Sequence, residues 1–394
     1  VDGVDTLRYQ GAGMELARTL QQVFPEAQLQ IYGQFQTASL LWHDDPEINA
    51  FTVDIATSRS EFYPYPAANP EVTASSIRQD LYRRDFTVNA LAVRLTAQGS
   101  RQTTTMELLD FFGGWEDIQQ RRIRVLHPNS FIEDPTRIFR AVRFATRLGF
   151  TLDPQTEAYI RHAIASGIYQ NLQANRAKAP ALQSRLRNEL KYIFKLGNWP
   201  SALRLMDHLG ALQCLHVQSS LDKAWWRQTQ IALQWSQHFD PEHKHIDQWL
   251  LIVERLLLAL PHLERCETAS QLHLPEMTQQ RFAVFASAQT QVLETLSNTP
   301  TPSRVAHCLQ AYDLPLLIEL GALSPVPVRR WIWRYLVQLR FVKPLLSGAD
   351  LIQLGYRPGP QFKAMLEALL SATLDQAVST QAEAIAWIQA RFLP

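Results

Sequence analysis

Cysteine is scarce in this chain. Cys214, Cys266 and Cys308 are the only three in 394 residues, an odd and widely spaced set with no CxxC pair. That argues against a disulfide framework and against a thiolate zinc site, and leaves three buried thiols as the expectation. Long apolar runs are missing too: no stretch of roughly 18 uninterrupted apolar residues occurs, so no membrane span is expected. The first residues lack the basic-then-apolar layout of a secretory signal, and the cytoplasm is the expected compartment. No repeat of fixed period stands out, and the Gln-rich stretches are broken too regularly by apolar residues to be low-complexity sequence. With 46% hydrophobic residues the chain has ample material for packed cores. Its length exceeds what a single core usually serves, so two or three domains are expected.

Lysine is absent from the one stretch where positive charge concentrates. Residues 1–77 hold 3 basic and 10 acidic residues, whereas 78–147 hold 12 basic and 8 acidic, and all 12 are arginine. Arginine favours planar, bidentate contact with phosphate or base edges over a diffuse cationic field. Coding bias or an ordinary arginine-laced helix face would give the same composition, so the residue patterns have to decide.

The first seventy or so residues mix periods. MELARTLQQVF has helical spacing, whereas LQIYGQF, TASLLW and AFTVDIATS read as short strands, with HDDPEIN as the turn between the last two. This is a small head containing both helix and strand. From ELLDFFGGWEDI onward helical patterns take over, with Gly113-Gly114 after Asp110 as a flexible joint and a break at His127-Pro128. IEDPTRIFRAVRFATRLGF repeats apolar positions at three and four, and the rest of the chain alternates helical segments with Pro and Gly breaks.

Three constellations carry chemistry. In Arg83-Arg84-Asp85-Phe86-Thr87-Val88-Asn89-Ala90, Asp85 or Thr87 can cap a helix whose free N–H groups attract an anion beside two guanidinium forks. Asp85 and Asn89 stand four apart, on one face if this is helix, and offer an acceptor and an amide to a ribose hydroxyl. A solvated corner is the competing reading. In Glu133-Asp134-Pro135-Thr136-Arg137, Pro135 suits a first helical turn with Asp134 at its cap, and Arg137, Arg140 and Arg143 recur every three residues. Held together, the Asp134 acceptors and Arg137 donors could read the Watson–Crick edge of a nucleobase, with Glu133 bracing the arginine. Against this stands a capped helix with a solvated arginine stripe.

The third constellation is the strand FTVDIATSR, in which Phe51, Val53 and Ile55 share one face and Asp54 points to the other, with Arg59 at its exit. Metal sites for phosphoryl transfer normally need two carboxylates to hold paired Mg²⁺ ions. No Asp-x-Asp pair exists in this chain to complete one, and Asp45-x-Glu47 lies in the hairpin turn. Further along, Arg187 and Lys191 share a helical face in SRLRNELKYIF. Trp225, Trp226, Trp331 and Trp333 read as core, leaving Arg329 and Arg330 as the tail's candidate RNA contact. Ser347-Gly348 and Gly355 to Pro360 mark a helix-loop-helix turn.

Taken in order, these segments resemble the bacterial poly(A) polymerase and class II tRNA nucleotidyltransferase family of CCA-, CC- and A-adding enzymes. RRDFTVNA matches the family's ribose and triphosphate motif, DFFGGWEDI its hinge, EDPTRIFRAVRF its nucleotide-selecting helix, and SRLRNELKYIF the helix that steadies the neck. VDIATSRSEFYPYP and LLSGADLIQLGYRPGPQF are similar to further family segments; the resemblance is firm over roughly 30–195. It implies an α+β fold: a polymerase-beta-like nucleotidyltransferase head with a mixed sheet over 1–125, a helical neck over 126–195, and an all-α body and tail over 196–394 that clasp a tRNA acceptor stem. The implied reaction is attack of the tRNA 3′-hydroxyl on the α-phosphate of CTP or ATP, assisted by two Mg²⁺ ions. By the same resemblance Asp134 and Arg137 meet the incoming base, Glu133 orients Arg137, and Arg140 is a further nucleotide-binding residue. Asp85 and Asn89 meet the ribose, Arg59, Arg83 and Arg84 face phosphates, and Asp54 is an accessory metal carboxylate.

One departure matters. The family's Gly-Gly loop and Asp-x-Asp metal ligands lie upstream of residues like VDGVD, so the expectation is that an N-terminal stretch of the natural protein precedes Val1 and that only the complete protein catalyses. The rival readings are a poly(A) polymerase, which the near-neutral tail disfavours, and a non-catalytic RNA-binding helical protein with a degenerate head.

Overall fold

The computed structural model describes residues 11–45, 49–62, 64–66, 71–98, 103–174, 181–217 and 221–392. They form two compact units, Val1–Leu215 and His216–Pro394. In the first, helix α1 (Ala12–Val23) precedes an antiparallel sheet of β1 (Gln28–Tyr32), β2 (Thr37–Asp45) and β3 (Asn49–Ala56), ordered β1-β2-β3. The register sets Leu40 opposite Val53 and Ser39 opposite Asp54. Alternation therefore sends buried Leu40 to one face and Asp54 to the other, as the twofold period requires. The hairpin residues 46–48, including Glu47, lie outside the described residues.

A second hairpin, β4 (Arg59–Phe62) with β5 (Glu71–Ala74), leads into helix α2 (Ile77–Tyr82), which starts at a Ser76 cap. After RRD, where periodicity left helix and strand both open, the helix that Asp85 or Thr87 could have capped does not form. Thr87–Asn89 is a single 3₁₀ turn with no side-chain cap, and the chain continues as strand β6 (Leu91–Gln98), paired with β7 (Thr103–Asp110). Phe86, Thr87 and Ala90 are buried. A longer helix would swing this set out of the core that Phe86 enters.

The glycine joint is closed by hydrogen bonds. The Asp110 carboxylate accepts from the backbone N–H groups of Phe112, Gly114 and Trp115 at 3.3, 2.9 and 2.9 Å. These outweigh the effect of burial and hold its pKa below the ordinary value. Helix α3 (Gly114–Gln119) follows, and Gly114 sits so close to the chain that a Cβ there would lie 2.3 Å from the Thr87 carbonyl oxygen. Asp117, fully buried, accepts from Thr87 Oγ1 at 2.6 Å and from Arg122 and Arg124, each at 2.8 Å. Short β8 (Arg122–Ile123) pairs in parallel with β9 (Thr151–Leu152).

Helices α4 (Ser130–Glu133) and α5 (Thr136–Leu148) come next, then α6 (Pro154–Ala165), α7 (Ile168–Ala174), α8 (Leu182–Phe194) and α9 (Trp199–Leu209). Apolar residues of α5 fall at helical spacing: Ile138, Phe139, Ala141, Val142 and Ala145 are buried against α8 and α9. Each large side chain among them contributes about 1.5–3 kcal/mol by leaving water. That anchorage is what lets the arginines on the other side of α5 be held in fixed positions.

The second unit is helical throughout its described residues. Trp225 is buried, and Trp331 and Trp333 pack on the main core with Trp235, in keeping with the core reading. Arg329 donates to the carbonyls of Gly321, Ala322 and Ser324, closing the end of the Leu314–Leu323 helix, so Arg330 is the more exposed of the pair. Ser347 and Asp350 form a capping box and Pro360 opens the next helix, giving the expected helix-loop-helix turn. Cys214 and Cys308 are buried, whereas Cys266 is half-buried. No helix among the described residues is long and apolar enough to cross a membrane.

Candidate active site

A cavity of about 620 Å³ in the first unit is lined by Arg83, Arg84, Asp85 and Asn89 from one side and Asp134, Arg137 and Arg140 from another. It also takes in Arg185, Asn188, Glu189 and Tyr192 from α8. Two motifs about fifty residues apart thus meet at one site, of a size that suits a ligand such as a nucleotide. Asp54 and Arg59 are not among the residues that line it.

The RRD corner is built on ion pairs. Arg83 donates to Asp80 at 2.9 Å and to Glu61 at 2.6 Å, and Glu61 also pairs with Arg59. Asp80 is buried and additionally accepts the Arg59 backbone N–H at 3.1 Å. Arg83 therefore braces the corner. Arg84 bonds the Asn89 carbonyl at 3.1 Å and keeps 44% of its side chain exposed, making it the more available cation of the two.

Asp85 and Asn89 do share a face, but they bond each other. Asn89 Nδ2 donates to Asp85 Oδ1 at 3.0 Å, and Asp85 Oδ2 accepts from Arg140 at 2.6 Å. Burial opposes the charge on Arg140, yet Asp85 and Glu189 outweigh it and raise its pKa above the ordinary guanidinium value.

At the start of α5, Asp134 Oδ1 accepts from the Thr136 backbone N–H at 3.0 Å and from Thr136 Oγ1 at 2.6 Å, so it caps the first turn from one residue before Pro135. Arg137 is buried, donating to Ser130 Oγ at 2.6 Å and to the Arg83 carbonyl at 3.0 Å. The expected Glu133 brace is corrected: Glu133 lies 3.5 Å from His127 Nε2, and Ser130 and Arg83 hold Arg137 instead. Burial lowers the His127 pKa, with Arg137 adding to the effect and Glu133 opposing it. The arginine stripe is likewise not a solvated face. Arg143 and Arg140 both reach Glu189 of α8, at 2.7 and 3.5 Å.

Asp54 stands on the exposed face of β3, accepting from Ser39 Oγ at 2.5 Å. Among the described residues no three acidic, histidine or cysteine side chains converge as metal ligands. The described residues alone therefore do not fit a two-ion centre.

Residues 4–124 match the family described as Poly A polymerase head domain. An A-adding tRNA nucleotidyltransferase of Geobacter sulfurreducens is 32% identical over 362 residues, covering 89% of this chain and 39% of that protein. Another, of Halalkalibacterium halodurans, is 30% identical over 318 residues, covering 80% of this chain and 68% of that one. The chain belongs to the class II tRNA nucleotidyltransferase and poly(A) polymerase family. A solved CCA-adding enzyme in its apo form II superposes with a TM-score of 0.76 over 97% of this chain and 86% of that one, at 25% identity. The fold is therefore the family's α+β arrangement with a polymerase-beta-like head. The chain spans less than half the length of the Geobacter family member.

Sequence reasoning missed several cavity residues of this family member. It chose Arg187 and Lys191 on α8, whereas Arg185, Asn188, Glu189 and Tyr192 line the cavity. Their spacing of three, four and seven was legible as one helical stripe. Asp80, three residues before Arg83 at the end of α2, was legible as a local ion pair, whereas Glu61 carries no local signal, because it meets Arg83 only once β4 packs against α2.

Proposed function

We propose that the protein is a tRNA 3′-end nucleotidyltransferase, adding C, A or both from CTP and ATP to the acceptor end in the cytoplasm. The head would be residues 1–125, the nucleotide-selecting neck 126–195, and the tRNA-binding body and tail 196–394. The 3′-hydroxyl oxygen bonds to the α-phosphorus, and the bond to the departing pyrophosphate breaks. What supports this reading, beyond the names of the relatives, is the pairing of Asp134 and Arg137 on one rigid helix start that faces the same cavity as Arg84, Asp85 and Asn89.

Asp134 is acceptor-only when ionised, and Arg137 is donor-only, with two of its five donors bonded to protein. Cytosine and adenine both present an exocyclic amine beside a ring-nitrogen acceptor. Uracil and guanine present a carbonyl beside an N–H. The pair therefore accepts the first two and repels the others. Arg84 meets the triphosphate, with Arg59 and Arg83 behind it, and Asn89, steadied by Asp85, meets the ribose. Arg140 steadies the ribose side of the site through Asp85, and Ser130 and the Arg83 carbonyl, rather than Glu133, hold Arg137. Enzymes of this family work with divalent metal ions. We take the ion to be Mg²⁺ and Asp54 to be one of its carboxylates, and no step is assigned to it because the described residues do not complete a centre.

Single-nucleotide incorporation into tRNA lacking its 3′ end tests the proposal, using the complete protein with CTP, ATP, UTP and GTP supplied one at a time. Asp134→Ala should relax selection by about 1–3 kcal/mol, the range for a bidentate base contact, alongside a lower melting temperature from the lost Thr136 cap and Arg185 ion pair. Unchanged nucleotide choice in a destabilised protein would overturn it. Extension of unrelated RNA with many adenylates would favour the poly(A) polymerase reading.

A further inference from the structure

Asp134 has one acceptor position left, and Arg185 sets where it points. A carboxylate offers about four lone-pair sites on its two oxygens. Oδ1 takes two donors, the backbone N–H and Oγ1 of Thr136. Oδ2 takes one, Arg185 Nη1 at 2.8 Å, from the facing helix α8. Among the described residues no other side chain occupies the second site on Oδ2. Anchored at both oxygens, the carboxylate plane cannot swing about a torsion that is broad for a free aspartate.

We propose that Arg185 is a specificity-determining positioning residue. By filling one site on Oδ2 and fixing the carboxylate plane, it leaves a single vacant lone pair directed into the cavity, for one amine hydrogen of the incoming base. This rests on the reading of Asp134 as the base acceptor. The alternative, that Arg185 blocks Asp134 and must leave before a nucleotide binds, is not required: the count leaves one site open with the ion pair intact.

Without Arg185, Oδ2 has two open sites. A water can then donate one hydrogen to the carboxylate and the other to a base carbonyl, so uracil O4 and guanine O6 find a partner where they now meet only an acceptor. Removing Arg185 should therefore raise the use of UTP and GTP rather than slow every nucleotide equally.

The test compares Arg185→Met, which keeps side-chain length and removes the donors, Arg185→Lys, which restores one charged donor, and Asp134→Ala, all in the complete enzyme. The kcat/KM ratio of the cognate nucleotide to UTP is the readout, with melting followed alongside. We expect the Met variant to lose roughly tenfold of that ratio, mainly through KM, and the Lys variant to recover part of it. A residue that merely holds α8 against α5 would lower kcat for all nucleotides and leave the ratio alone. Should the Met variant fail to fold, Arg185→Gln, whose amide is a shorter and uncharged donor, is read by the same ratio, and a partial loss is expected. A wild-type ratio in the folded Met or Gln variant, with the ratio collapsed in Asp134→Ala, overturns the role of Arg185 and leaves Asp134 as the selector. An unchanged ratio in Asp134→Ala instead overturns the base-acceptor reading itself.

Discussion

Replacing Glu189 by alanine should destabilise the first unit by an amount the structure lets one work out. Glu189 is buried and is the only carboxylate within ion-pair distance of Arg143, among the described residues; it also touches Arg140. Removing one partner of a buried pair costs about 3–5 kcal/mol, because the other charge stays out of water unpaired. Two features place this site at the low end. Arg140 keeps its 2.6 Å pair with Asp85, and Arg143 keeps ring contacts with Phe144 and Tyr192, at 4.7 and 5.5 Å. About 3 kcal/mol is therefore expected, which for a unit of this size corresponds to a fall of about 6–12 °C in melting temperature. Differential scanning calorimetry of the full chain would read it. The double variant Glu189→Leu/Arg143→Met, with neither charge present, should regain most of the loss. A fall below about 2 °C in the single variant, or a double variant less stable than the single, would refute the reasoning.

Gly114→Ala should cost about 1–3 kcal/mol by overpacking, because the new methyl meets the Thr87 backbone oxygen; a melting temperature equal to wild type would contradict this. In the second unit, burial pushes the Glu319 carboxyl up to about 7 despite its 3.0 Å pair with Arg255. Its contribution to stability is full below the ordinary value of 4.5 and is lost as pH rises to about 7. Glu319→Gln should flatten that slope in calorimetric scans between pH 5 and 8, and an unchanged slope would count against it. Binding of tRNA should weaken steeply with salt if arginines meet its phosphates, so a level plot of filter-binding affinity against salt would argue for another mode of contact.

Local pattern was enough for much of this protein. The apolar repeat over Ile138 to Ala145 announced α5, and the twofold period of FTVDIATS put Asp54 on the face away from the core. Pro135 after Asp134 marked a helix start. Such features depend on neighbours within a turn or a strand, which the order of residues determines. The length of the helix after RRD was beyond local reading, because burial of Phe86 and the clasp of Thr87 by Asp117 end it after a single turn. So were the partners of the arginines. Arg137 is held by Ser130 and the Arg83 carbonyl rather than by its neighbour Glu133, and Asp134 is steadied by Arg185 across about fifty residues of chain. A charged side chain takes whichever acceptor the packed backbone brings within about 3 Å, and that distance is set only when helices and hairpins remote in sequence close around the same cavity.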